Sequence, residues 1–460
     1  MGSLKLLNNF FKGDKVVWAV FFMLCLVSVV EVYSASSSLG YKSGNYWWAA
    51  FYHTILLLLG VGAMICVLHA PCKYFKLATP ILVPFAFILL IAVYIVGTKA
   101  KDAARWLSFF GIPIQPSEIA KGAMVLATAH ILSSMQTEEG AAKNAMKFVL
   151  ITAAFLILPI VPENLSTAII ISAVVFCMMV IGRVPFRQLG YLISTIVIAA
   201  LCFVGIVLLV GKSPSDATEE AKENMHLTEM VEDGQTGIIV DESGIPEGRK
   251  LKQDKKPKSM FEKLTHRFDT WKGRLYGFFD DDYIEPKKYD LDKNGQIGHA
   301  NIAIVSSNVT GRGPGNSVER DFLSQAFSDF IFAIIIEELG LGGASLVAFF
   351  YVVLLFRTGI IARRCKNPFP AYLAMGLALL MVMQALVNML VAVGLFPVTG
   401  QPLPLISKGG TSSVINCIYI GVILSISRSA ARRDGSITDD MDDNSVARKK
   451  QKAAMAVARA

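Results

Sequence analysis

The stretch Ala326-Phe-Ser-Asp-Phe-Ile-Phe-Ala-Ile-Ile-Ile-Glu-Glu-Leu-Gly340 brings a carboxylate, Asp329, to the point where a charged segment gives way to a long apolar helix. A charged side chain at mid-bilayer costs about 2.5–3.5 kcal/mol on insertion scales, so it is usually retained for a site or a buried partner. Asp329 is therefore the first candidate for chemistry. The competing interpretation is an N-cap, because Asp at a helix start accepts hydrogen bonds from free N–H groups. Two further carboxylates lie inside the run and are expected to pair with polar groups of another span: Glu337 and Glu338 with groups such as Gln384 and Asn388.

The chain around this stretch has the composition of a membrane protein. Of its 460 residues, 53% are hydrophobic and 17% are charged, which is too apolar for a soluble globular protein. A helix needs about 20 apolar residues to cross roughly 30 Å of hydrocarbon. We predict an all-α polytopic membrane protein whose ten or so transmembrane helices lie near residues 16–34, 48–70, 77–97, 118–135, 146–161, 165–182, 188–211, 326–357, 369–396 and 409–428.

Lys and Arg residues cluster in alternate short loops, which by the positive-inside rule places both termini in the cytoplasm. The net charge of +8 comes mostly from these loops and from the C-terminal tail. No basic-aromatic module accompanies it, so we do not expect nucleic acid as a ligand. The predicted organisation is a cytoplasmic N-terminus (1–15), spans 1–7 (16–211), a large external loop (212–325), spans 8–10 (326–428) and a basic cytoplasmic tail (429–460). Residues 212–260 contain too few apolar residues to build a core and are expected to be mobile.

Two polar motifs lie at predicted span boundaries. Pro116-Ser-Glu-Ile-Ala-Lys121 predicts a helix start in which Glu118 and Lys121, three residues apart, can pair. Pro402-Leu-Pro-Leu-Ile-Ser-Lys-Gly-Gly-Thr-Ser-Ser413 predicts a broken start of the last span. Irregular backbone at that depth must be buried in protein or line a cavity.

The loop before Asp329 contains two further motifs. Thr310-Gly-Arg-Gly-Pro-Gly-Asn-Ser317 lacks a Walker lysine and is not a P-loop. Taken alone it is a flexible loop, but its N–H groups, with Arg312 and Arg320, are a candidate lining for a phosphate-bearing substrate. Asp290-Leu-Asp-Lys-Asn-Gly295 matches the opening of a calcium loop without the closing glutamate, and we favour an Asn-Gly turn there.

Four stretches, residues 104–121, 162–168, 328–340 and 402–413, together resemble the SEDS family of shape, elongation, division and sporulation proteins, typified by FtsW and RodA, over about residues 15–430. The resemblance implies a peptidoglycan glycosyltransferase in the bacterial cytoplasmic (inner) membrane. Such an enzyme polymerises lipid II together with a class B penicillin-binding protein. Membrane lipids and other divisome proteins are further expected partners. The Lys-Gly-Gly-Thr-Ser form and the basic tail favour the FtsW-like division type.

The resemblance also implies roles for individual residues. Asp329 matches the family's essential aspartate and is the expected general base, while cations would take up charge on a lipid pyrophosphate leaving group. The substrate-binding candidates are Arg274, Arg105, Lys121, Glu118, Arg312, Gln296, Lys408 and Ser407. A divalent cation such as Mg²⁺ could assist, although the sequence contains no dedicated cage. The chain departs from the family's pattern at Lys408, at Ser307-Asn308 and at Asn164-Leu-Ser166.

Two other classes of function remain open on the sequence. A flippase for a lipid-linked precursor, or another transporter, would also contain broken helices and intramembrane carboxylates. The two halves of the chain show no convincing internal repeat, which argues weakly against it. A non-catalytic scaffold for a partner synthase would instead depend on the charged segment 212–260 and on the cytoplasmic tail.

Overall fold

A computed structural model of the chain describes residues 12–35, 46–100, 103–109, 112–210, 272–273, 291–323 and 326–430. Helices dominate these residues. In chain order they are α1 (Lys15–Ala35), α2 (Tyr46–His69), α3 (Cys72–Val96), α4 (Pro116–Ser134), α5 (Ala145–Ile157), α6 (Leu165–Ile181), α7 (Phe186–Val210), α8 (Leu291–Ser306), α9 (Ile331–Arg364), α10 (Pro368–Ala392) and α11 (Thr411–Ala430). The predicted mobile segment 212–260 and most of the predicted tail lie outside the described residues.

Seven helices of the described chain are long and apolar enough to cross a membrane: α1, α2, α3, α7, α9, α10 and α11. Two shorter apolar helices, α5 and α6, have 13 and 17 residues. The 19-residue α4 carries buried polar side chains as well as apolar ones. The predicted polytopic, mostly helical fold is confirmed. Each predicted span coincides with one of these helices, but a count of ten membrane crossings stays a prediction.

Short strands, which the sequence did not predict, form two small antiparallel sheets. Between α3 and α4 lie β1 (Thr98–Ala100), β2 (Ala103–Phe109) and β3 (Ile112–Ile114), paired in that order. A two-residue pair, β4 (Gln136–Thr137) and β5 (Gly140–Ala141), follows α4. Strand β3 leads almost directly into α4. Pro116 occupies the first turn of α4, where its missing N–H group and fixed φ suit a helix start.

One local prediction was wrong. Asn294 and Gly295, expected to form a turn, lie inside α8. The Asn-Gly pair favours a turn only by local preference, and glycine in a helix costs about 1 kcal/mol, which a 16-residue helix can offset elsewhere.

The chain divides into two compact units, residues 1–189 with 285–460 and residues 190–284. The first unit contains the candidate site. In it, α4 packs against α3, α5, α6 and α10, while α9 packs against α1, α8 and α10. Small buried side chains at Ala120, Ala123 and Ala127 allow neighbouring helices to approach α4 closely.

Polar contacts join α1 to α9 near both ends of α1. At one end, Asp14 caps α1 through its Oδ1 and accepts a 2.7 Å hydrogen bond from Arg357 Nε through its Oδ2. At the other end, the Ser34 hydroxyl donates to the Glu338 carboxylate. Both acidic side chains thus have structural partners on the neighbouring helix.

Candidate active site

The helix that follows Asp329 is interrupted at Gly340, where φ is 72° and ψ is −177°. L-residues rarely adopt that backbone conformation. A second glycine, Gly311, also at φ 72°, lies directly against it. The N–H groups of residues 312 and 313 donate to the carbonyls of residues 337 and 338 at 2.9 and 2.8 Å. The glycine loop, defined here as residues 309–318, therefore satisfies carbonyls that the interrupted helix leaves free.

The side chains of Glu337 and Glu338 bind the same loop. Glu337 accepts from the Ser317 hydroxyl and, at 3.0 Å, from the Val318 amide. Glu338 accepts from the amides of Gly315 and Ser317 at 2.9 and 3.2 Å. Both glutamates are fully buried, so these bonds supply the partners that a buried carboxylate requires.

The expected structural role of Glu337 and Glu338 agrees with this geometry, but their predicted partners were wrong. The interruption at Gly340 brings the glycine loop alongside them, whereas Gln384 and Asn388 make other contacts.

The glycine loop itself is engaged within the protein. Several of its N–H groups bind the two glutamates, Arg312 lies 3.2 Å from Glu337, and Arg320 donates to Ser34 and the Gly315 carbonyl. This geometry favours a structural loop over the predicted phosphate lining. A substrate contact by the half-exposed Arg312 stays a prediction.

Asp329 is half-buried in the turn that precedes α9. Its Oδ1 accepts a 3.0 Å hydrogen bond from the Ser328 hydroxyl. The N-cap position of α9 is held by Phe330, one residue later, and Phe330 makes no side-chain cap bond. Asp329 is therefore not the N-cap of α9, contrary to the competing interpretation.

The segment that carries Asp329 is fixed by three hydrogen bonds to consecutive carbonyls. The Phe327 carbonyl accepts from the Lys408 amide at 2.9 Å, and the Ser328 carbonyl accepts from the Ser407 hydroxyl at 2.6 Å. The Asp329 carbonyl accepts from Asn388 Nδ2 at 2.8 Å. We call residues 399–410, which supply two of these donors, the support loop.

The support loop is irregular backbone buried in protein, as the sequence predicted for the start of the last span. Residues 403–407 are buried, and Leu405 has the left-handed φ of 66°. Ser407 also accepts from the Leu403 amide at 2.7 Å, and the Tyr351 hydroxyl donates to the Pro404 carbonyl. These bonds hold the loop where an unpaired backbone would be costly.

Glu118 and Lys121 form the predicted pair on α4, at 2.8 Å with each side chain 1% exposed. Lys121 Nζ also donates to Gln384 Oε1 at 2.6 Å, and Gln384 Nε2 donates to the Pro402 carbonyl at 2.9 Å. Because the pair is buried and engaged, the structure favours a positioning role for both residues over the direct substrate contact expected from the sequence.

The remaining predicted residues are spread over several elements. Gln296 lies on α8, partly buried. Lys408 Nζ lies 4.9 Å from the centre of the Phe327 ring, and partial burial lowers the pKa of its ammonium. The backbone of Arg105 belongs to β2, but its side chain lies outside the described residues, as does all of Arg274.

Several residues at the site were not predicted. Asn164, treated only as a departure from the family's pattern, caps α6 through Thr167 and accepts from Gln401 Nε2 at 3.2 Å. Asn388 and Gln401, the latter inside the motif at the last span, link α6 and α10 to the support loop. The sequence signal that could have identified these three residues is that each is a polar side chain in or next to an apolar span. Among the described residues, no group of three His, Cys, Asp or Glu side chains could hold a metal ion.

Comparison with known proteins agrees with this architecture. The chain resembles proteins called probable peptidoglycan glycosyltransferase FtsW, with 28% identity over 422 residues in Halomonas elongata, covering 89% of this chain and 90% of the relative. The corresponding protein of Hahella chejuensis is 27% identical over 427 residues, covering 91% and 90%.

Two solved structures share the fold. A chain from a structure described as structural coordination of polymerization and crosslinking by a peptidoglycan synthase complex has a TM-score of 0.63, 18% identity and coverage of 91% of this chain and 99% of that one. The rod shape determining protein RodA of Thermus thermophilus has a TM-score of 0.56, 17% identity and coverage of 92% and 99%. The family model FTSW_RODA_SPOVE, described as cell cycle protein, matches residues 14–214 and 274–432. The chain therefore belongs to the FtsW, RodA and SpoVE family of cell cycle proteins.

Proposed function

We propose that the protein is a peptidoglycan glycosyltransferase that polymerises lipid II, with Asp329 as its general base. The observation that carries the proposal is the fixed position of Asp329: three consecutive carbonyls, those of residues 327–329, each accept a hydrogen bond from the support loop or from α10. Because the backbone is held in place, the carboxylate needs little reorganisation to reach the geometry of a general base. The names of the FtsW relatives support the activity and favour a division role.

The reaction joins a sugar hydroxyl to the anomeric carbon of a lipid-linked saccharide. Asp329 takes the proton of the attacking hydroxyl as the new glycosidic bond forms, and the lipid pyrophosphate leaves with the bonding electron pair. Cationic side chains then stabilise charge that develops on the pyrophosphate. We propose Lys408 for this role, which is supported by the hydrogen bond of its amide to the Phe327 carbonyl, two residues from Asp329. Arg274, Arg105, Arg312 and Gln296 are further candidates.

The proposal includes a setting for this enzyme. It is a multi-pass membrane protein with both termini in the cytoplasm of a bacterium, so the chemistry takes place at the outer face of the inner membrane. The likeness to a chain of a peptidoglycan synthase complex supports a crosslinking partner, for which a class B penicillin-binding protein is our proposal. A divalent cation such as Mg²⁺, bound together with the substrate pyrophosphate, is a further part of the proposal.

Polymerisation of labelled lipid II by the purified protein in lipid nanodiscs tests the proposal. The wild type and Asp329→Asn are compared with and without the class B partner. We expect glycan polymer from the wild type and none from Asp329→Asn, which keeps the side chain's size but cannot act as a base. Asp321→Asn is a matched control, because Asp321 is an exposed acidic residue eight positions earlier, and it should polymerise normally.

Equal polymer from the wild type and Asp329→Asn would remove Asp329 as the base. No polymer from the wild type with its partner and Mg²⁺ present would contradict the glycosyltransferase proposal. A lipid II transbilayer movement assay in liposomes would then test the flippase alternative. Loss of function on deleting residues 212–260, with Asp329 dispensable, would point to the scaffold.

A further inference from the structure

Two buried amide side chains on α10, Gln384 and Asn388, lie one helical turn apart and therefore face the same way. Gln384 Nε2 donates to the Pro402 carbonyl at 2.9 Å, and Asn388 Nδ2 donates to the Gln401 carbonyl at 2.7 Å. Neighbouring peptide units of the support loop are thus attached to one face of α10.

Each amide also reaches one residue that the sequence placed in the site. Gln384 Oε1 accepts from Lys121 Nζ at 2.6 Å, and Asn388 Nδ2 donates to the Asp329 carbonyl at 2.8 Å. Asp329 is therefore linked through Asn388 to the Gln401 carbonyl. Lys121 is linked through Gln384 to the adjacent Pro402 carbonyl.

The orientation of the Asn388 amide follows from its neighbours. Its nitrogen meets two carbonyl oxygens, which can only accept, so a flipped amide would place its own oxygen against these two acceptors. Its Oδ1 is buried and finds no hydrogen-bond partner among the described residues. An unsatisfied buried acceptor is unfavourable, so the two carbonyl contacts outweigh it.

We propose that Asn388 is a positioning residue for Asp329, and this inference rests on the proposed function of Asp329. By holding the Asp329 carbonyl to the Gln401 carbonyl, Asn388 sets how far the carboxylate projects from the start of α9. Asn388 itself is 1% exposed and does not contact substrate. Its loss should displace the base without removing any substrate-binding group.

The expected kinetic signature is specific. A displacement of about 1 Å in a reacting group can cost on the order of 100-fold in rate. We therefore expect Asn388→Leu, which is similar in size and lacks both donors, to lower kcat for lipid II polymerisation by on the order of 100-fold and to leave KM nearly unchanged. Asn388→Ala is the second variant if leucine does not fit.

Thr358→Val is the matched control. Thr358 is fully buried on α9, and its hydroxyl donates to the Leu354 carbonyl of its own helix, away from Asp329. It should keep kcat per folded molecule. A purely structural role for Asn388 predicts the same pattern as this control, and that result would overturn the inference.

A further readout separates this inference from the proposed function. Amide hydrogen exchange of residues 326–330 should become faster in Asn388→Leu than in the wild type and Thr358→Val, whether or not the protein polymerises lipid II. Unchanged exchange would overturn the inference even if the wild type is active.

Discussion

Gly340→Ala tests whether the interruption of α9 holds the glycine loop and, through it, the segment before Asp329. A Cβ atom at Gly340 would lie under 3.0 Å from the Val309 carbonyl oxygen and the Gly311 amide nitrogen, a separation that real Cβ atoms essentially never show. The left-handed φ adds about 1–3 kcal/mol of strain. Relief by movement would break the three loop-to-helix hydrogen bonds, at about 0.5–1.5 kcal/mol each.

The expected loss for Gly340→Ala is about 3–7 kcal/mol in the free energy of unfolding. We expect a fall in the Tm of the detergent-solubilised protein of on the order of 10 °C, measured as the fraction that stays monodisperse after heating. Gly342→Ala is the control two positions away, where a Cβ would meet the Val309 carbonyl oxygen at an ordinary 3.4 Å. In a helix that change stabilises by up to about 1 kcal/mol. If both variants melt at the same temperature, the interruption at Gly340 does not hold the glycine loop.

Three further changes test the buried polar groups. Glu118→Gln alone should destabilise by about 3–5 kcal/mol because it leaves the Lys121 charge buried with one carboxylate fewer, while Glu118→Gln with Lys121→Met should recover much of that loss in Tm. Asn164→Ala removes the cap of α6 and should lower stability by about 0.5–2 kcal/mol, measured by the same melting assay. Glu31→Gln should keep or raise the Tm, because both carboxylate oxygens of Glu31 are buried with no hydrogen-bond partner among the described residues.

The opposite result of each change would contradict the reason given for it. A double variant at Glu118 and Lys121 that melts no higher than Glu118→Gln would show that the pair is not the source of the loss. An Asn164→Ala protein with wild-type stability would show that the Thr167 bond contributes nothing. A large fall in Tm for Glu31→Gln would reveal a partner of Glu31 outside the described residues.

Local sequence patterns predicted what depends on local physics. The apolar runs located the helices because burial in lipid requires about 20 apolar residues whatever the tertiary arrangement. The pairing of Glu118 with Lys121 followed from a spacing of three residues on one helix. The broken start of the last span followed from Pro402 and the glycines of the same motif, which disfavour a regular helix.

Contacts between distant segments could not be predicted in this way. The partners of Glu337 and Glu338 depend on how Gly311 packs against Gly340, and no spacing along the chain encodes that approach. The role of Asn388 depends on three separate elements meeting at one carboxamide. The strands β1 to β3 are short and irregular in sequence, so their pairing is decided by the ends of α3 and α4 that they connect.

The polar contacts that join α1 to α9 have a mechanical consequence. Glu338 and Arg357 lie on opposite sides of the interruption at Gly340, and each is bonded to a residue at one end of α1. α1 is thereby joined to α9 on both sides of the interruption, so a shift of α1 along α9 would have to break one of the two contacts or change the angle at Gly340. A neighbouring protein that pushed on α1 would therefore act through Ser34 and Glu338 on the first turns of α9, the end at which Asp329 lies.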